Sequence, residues 1–87
     1  MIKVHGSVII EQGMTFAIVV VKPHVTQYTA RAVSFRNEIA PFFRNMPIIL
    51  MSQDKDGNPR YYGRKDIVDF LKTVKVEQIP WKTYHIY

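Results

Sequence analysis

The 87-residue sequence contains no cysteine. That removes disulfides, thiolate metal sites and dithiol redox chemistry together, and it accords with a cytoplasmic address. The longest apolar run, Phe16 to Val21, falls far short of the roughly 20 residues needed to cross a bilayer. No charged, apolar and small-residue succession of the signal-peptide kind opens the chain, and no linker, repeat or low-complexity stretch interrupts it. HExxH, GxSxG, a P-loop and GxGxxG are all missing, while His5, His24 and His85 stand isolated from one another. No catalytic constellation or cofactor motif is therefore legible.

What remains is a single small domain, residues 1–87, with 47% hydrophobic residues and a net charge of +5. Such a chain is too apolar for disorder and large enough for one core. The charge permits an acidic partner without requiring one, because it also serves solubility.

Ile2 to Ile10 reads as a strand, Glu11 to Gly13 as a turn and Thr15 to Val21 as a second strand, together an antiparallel hairpin. The second strand, TFAIVVV, does not alternate, which is expected where both sheet faces are buried. Lys22-Pro23-His24 ends it. From Thr26 the period changes: Tyr28, Ala32, Phe35, Ile39 and Phe42 fall on one helical face, with Gln27, Arg31, Ser34 and Glu38 towards the other. Thr26 suits the N-cap, and Pro41 should stop the helix near Ala40.

Pro47 to Met51 reads as a second two-sided strand, Arg60-Tyr61-Tyr62 as its hairpin partner and Arg64 to Val74 as a second helix. That helix buries Ile67, Phe70, Leu71 and Val74, with Asp66 in its first turn. The tail WKTYHIY alternates weakly and can add an edge strand. The fold class is thus α/β, in the order β-β-α-β-β-α with a terminal edge strand, a mixed sheet and two helices. The two central strands should form a parallel, right-handed βαβ crossover.

The loop DKDGN offers oxygens from Asp54, Asp56 and Asn58 at the first three ligand positions of a calcium loop. The sixth position is Pro59, where glycine is needed, and the twelfth is Lys65, where a carboxylate is needed, so no metal is expected. Asp56-Gly57-Asn58-Pro59 is instead turn chemistry, with Gly57 free to take positive φ.

Residues 46–74, a strand opened by proline, a glycine turn, a short strand, Gly63 and a closing amphipathic helix, resemble the second half of a thioredoxin-like domain. The resemblance implies that Met46-Pro47 is cis and lies against the site. The family's CxxC would stand in KPHVTQYT, which has no cysteine, and the 43–47 segment lacks room for the family's additional strand and helix. The resemblance therefore implies a reduced, non-redox relative.

Lys22, His24 and Thr26 beside a helix start, together with Met46, form the candidate ligand site, since a helix N-terminus favours anions. Arg60-Tyr61-Tyr62-Gly63-Arg64-Lys65 interleaves cations with rings, as nucleic-acid binding requires, and Trp81 and Tyr84 extend the set. Neighbouring strand residues face opposite ways, so only one of Tyr61 and Tyr62 can join a shared platform.

The favoured function is a small binding or assembly module acting as a homodimer, because two helices on one side of a two-sided sheet would leave the other face bare. A nucleic-acid binder using Arg60, Tyr61, Arg64, Lys65, Trp81 and Tyr84 is the alternative. An enzyme with a convergent site near His24 is a further one.

Overall fold

The computed structural model describes residues 2–11, 13–44 and 46–86. Two long strands come first, β1 (Ile2–Glu11) and β2 (Met14–Val20), then helices α1 (Pro23–Gln27) and α2 (Thr29–Ile39), the latter running into a 3₁₀ turn at Ala40–Phe43. Strands β3 (Ile48–Gln53) and β4 (Pro59–Tyr62) precede helix α3 (Lys65–Leu71), a 3₁₀ turn at Val76–Gln78 and strand β5 (Lys82–Ile86). No helix among the described residues is long and apolar enough to cross a membrane.

The five strands form one mixed sheet in the order β4-β3-β2-β1-β5. Strands β2 and β3 are parallel, with Val19 opposite Leu50, and the other three pairings are antiparallel. The tail is an edge strand as expected, Tyr84 lying opposite Val4.

Both faces of the β2–β3 pair are buried, as their unbroken apolar runs require. Ala17, Val19, Ile48 and Leu50 pack on one face with Ala32, Ile39 and Phe43. Phe16, Ile18, Ile49 and Met51 pack on the other with Ile67 and Leu71 of α3 and with Ile79. The helices thus cover opposite faces in a three-layer arrangement. This corrects the premise of the homodimer: among the described residues, both faces of the central β2–β3 pair are covered within the chain.

The expected first helix is two. Pro23 opens α1, its fixed φ suiting a first helical position. Tyr28 then leaves helical geometry at φ −121° and ψ 116°. That single extended residue resets the helical phase, so Tyr28 is 58% exposed, its ring beneath the Arg31 guanidinium, while Val25, Ala32, Phe35 and Ile39 all reach one core. Tightening at Ala40–Phe43 rotates the phase again, exposing Phe42 and burying Phe43. Tyr28 and Phe42 are therefore not core residues. Thr26 caps nothing: it lies inside α1, and neither Lys22 nor Tyr28, which precede the helices, makes a side-chain cap.

The Met46-Pro47 peptide is trans, against the cis geometry that the thioredoxin-like resemblance implied. Pro47 opens the strand by directing its carbonyl to the Ala17 amide at 2.9 Å, and it has no N–H to leave unpaired.

The β3–β4 loop is a tight turn organised by one carboxylate. Asp54 Oδ1 accepts from the Asp56 and Asn58 amides, each at 2.9 Å, and the Asn58 amide in particular holds the Asp54 carboxyl below its ordinary pKa. Gly57 takes φ 84°. Gly6 serves differently: a Cβ there would collide with the Ile18 carbonyl oxygen of β2.

Gly57→Val is expected to destabilise by about 1–3 kcal/mol, because a β-branched residue is strained at positive φ. Chemical denaturation measures this, and a stability equal to wild type would contradict the turn geometry.

Candidate functional site

The sheet's two ends carry different clefts. At the carboxyl ends of β2 and β3, Pro23, Thr26, Gln27, Ser52, Gln53 and Arg60 help to line a cleft of about 420 Å³. Its central feature is a hydroxyl pair. Ser52, 1% exposed, ends the apolar run of β3, and its Oγ lies 2.7 Å from Thr26 Oγ1. Thr26 Oγ1 donates its one proton to the Pro23 carbonyl at 3.1 Å, so Ser52 is the donor to Thr26. The resulting chain ties α1 to the sheet and leaves Ser52 Oγ able only to accept from anything in the cleft. Among the described residues no imidazole lines this cleft to activate the hydroxyl, and the Asp54 carboxylate is occupied by its own loop.

At the opposite end of β3, Arg36, Asn37, Ala40, Met46, Pro47, Ile48 and Arg64 line a second cleft, of about 290 Å³. Arg36 lies on α2 with its guanidinium 5.4 Å from the Tyr62 ring centroid, and Arg64 Nε forms an ion pair with Asp66 Oδ1 at 2.9 Å.

The four expected ligand residues are not brought together. Thr26 lines the hydroxyl cleft, Met46 the arginine cleft, and His24 a shallow depression with Arg31, Ser34 and Glu38; Lys22 is exposed just beyond β2. The separation follows from the parallel crossover, in which the residue leaving β2 and the residue entering β3 lie at opposite ends of the sheet. His5 Nδ1 lies 3.1 Å from Thr83 Oγ1 across the β1–β5 pairing, and His85 is exposed on β5.

The basic aromatic set is divided as well. Arg60 and Tyr61 are on β4 and Tyr84 on β5, at opposite edges of the sheet. Tyr61 and Trp81 pack on the α3 face, while Tyr62 and Tyr84 pack on the α2 face. Trp81 Nε1 donates to the Val76 carbonyl at 3.0 Å, and Tyr84 meets Phe43 edge to face at 5.5 Å. Arg64 and Lys65 are paired with Asp66 and Asp69; the second pair raises the lysine pKa and lowers that of Asp69. Burial pushes the Tyr61 hydroxyl pKa up, and that hydroxyl has no hydrogen-bond partner among the described residues.

Three residues of these clefts were missed in the sequence: Ser52, Arg36 and Asn37. Arg36 had a signal, since the spacing of 32, 36 and 40 places it beside the buried stripe. Ser52 had only its position at the end of PIILM.

No protein-family model matches the chain, and no match was found among curated proteins or solved structures.

Thr26→Val should destabilise by about 1–3 kcal/mol, because it leaves the buried Ser52 hydroxyl without an acceptor, and adding Ser52→Ala should recover part of that loss. Denaturation of the single and double variants tests the pair; a double variant no more stable than Thr26→Val alone would refute it. Tyr61→Phe should be neutral or stabilising by up to about 1 kcal/mol, since it removes an unpaired hydroxyl. A clear fall in the thermal midpoint would reveal a hydrogen bond at that hydroxyl.

Proposed function

We propose that the chain is a small, non-redox α/β binding and assembly module whose partner is a second copy of itself, met through the free half of β1. The observation that carries this reading is an uneven sheet edge. Strand β5 pairs with β1 only from Ile2 to Gly6, whereas β1 continues to Glu11 along β2. Its outer edge beyond Gly6 has no strand beside it, and no loop backbone bonds to it among the described residues.

The other edges are protected in the usual ways. Strand β4 has four residues and begins Pro59-Arg60, and β5 carries Lys82 and His85. The free half of β1 reads Ser7-Val8-Ile9-Ile10-Glu11, with Ile10 73% and Val8 39% exposed. Twofold antiparallel pairing of this segment about Ile9 would set Val8 against Ile10 of the partner on one face and Ile9 against its own copy on the other. Each copy would then satisfy the other's edge, as an isologous interface does.

Five paired residues bury less than the roughly 1,000 Å² of a stable interface, so the association is weak and concentration-dependent. A cytoplasmic setting accords with the cysteine-free composition.

Light scattering over a dilution series into the high-micromolar range should show mass rising from the 10.2 kDa chain towards twice that value. Ile10→Lys should hold it at the monomer without lowering the thermal midpoint. Constant monomer mass in the wild type, or an Ile10→Lys variant that still dimerises, would exclude the β1 edge as the assembly surface.

A further inference from the structure

We infer that the cleft at Pro47 binds the oxyanion of a small organic phosphate or carboxylate, with Arg36 and Arg64 as its paired donors. The inference rests on how the two guanidinium groups are held and on what their N–H groups lack. Arg64, more than half exposed, makes one ion pair, Nε to Asp66 Oδ1 at 2.9 Å, and its four Nη hydrogens have no protein partner among the described residues. Arg36 is half-buried, it has no carboxylate within 4.0 Å among the described residues, and its guanidinium makes no hydrogen bond there. What orients it is the Tyr62 ring.

A partly desolvated cation with no counterion is the group in this cleft most in need of an anion. Asp66 offsets much of the Arg64 charge, so the cleft retains about one uncompensated positive charge, that of Arg36. Two planar guanidinium forks lining one cleft suit the oxygens of a phosphate or carboxylate. The Asn37 amide, exposed on the same rim, adds two further N–H donors.

The remaining lining decides the class of ligand. Ala40, Met46, Pro47 and Ile48 form an apolar wall beneath the polar rim, so the oxyanion should be carried on a small apolar body. A volume of about 290 Å³ lies at the low end for ligand sites, which limits the ligand to a small molecule. The hydroxyl cleft offers no comparable charge excess, since Asp54 and Asp56 stand among its lining beside Lys55 and Arg60.

Phenyl phosphate, benzoate and inorganic phosphate serve as probes, titrated into the 15N-labelled chain at concentrations where it is monomeric and followed by NMR. Phenyl phosphate or benzoate should give saturable shifts centred on Arg36, Asn37 and Arg64, and whichever binds more tightly identifies the phosphate or the carboxylate as the head group. Arg36→Gln and Arg64→Gln should each weaken binding about tenfold. Arg36→Lys, which keeps the charge but loses the planar fork, should also weaken it, and Lys75→Gln, a charge removal elsewhere, should not. Amide spectra confirm that each variant is folded. The inference is overturned by non-saturating shifts, by equal weakening in Lys75→Gln, or by inorganic phosphate binding as tightly as either aromatic probe.

Discussion

Two adjacent parallel strands with apolar residues on both faces dictate the rest of this molecule. Ile18 and Ile49 must be covered from one side, and Val19 and Leu50 from the other. With only about 25 cal/mol gained per Å² of apolar surface buried, neither face can be left wet in a chain of this size. The chain therefore divides its helices, sending α2 to one face and α3 to the other. Further apolar residues, Phe43 and Ile79 among them, complete the two cores beside the helices.

The same parallel pair decides where polar chemistry can collect. A crossover that leaves one strand at its carboxyl end and enters the next at its amino end places the two loops at opposite ends of the sheet. One end gathers the hydroxyls of Thr26 and Ser52, and the other gathers Arg36 and Arg64. The hydroxyl pair holds structure together, because α1 has only five residues, none of them fully buried, and the pair adds a hydrogen bond to β3 beside the packing of Val25. At the arginine end one guanidinium lies over a tyrosine ring and the other is paired with a carboxylate.

The edges show a third consequence. The sheet is closed at β4 by proline and arginine and at β5 by lysine and histidine, yet β1 outruns β5 by half its length. Gly6 marks the point where the pairing ends, and there β1 lies against the Ile18 carbonyl so closely that no side chain fits.

The strands, both hairpins, the parallel central pair and the left-handed Gly57 were legible in the sequence, because alternation, apolar runs and turn residues act over a few neighbours. The opposed directions of Tyr61 and Tyr62 were legible for the same reason. The break at Tyr28 was not, since it is fixed by a fit between α1, α2 and a sheet formed elsewhere in the chain. Nor was the role of Thr26: its partner Ser52 is 26 residues away, and locally it looks like a helix cap. Which face each helix covers, whether Met46 meets Thr26, and whether Tyr84 joins Tyr61 all depend on strand order. Strand order is set by the summed burial of many distant side chains, and no short stretch of sequence carries that sum.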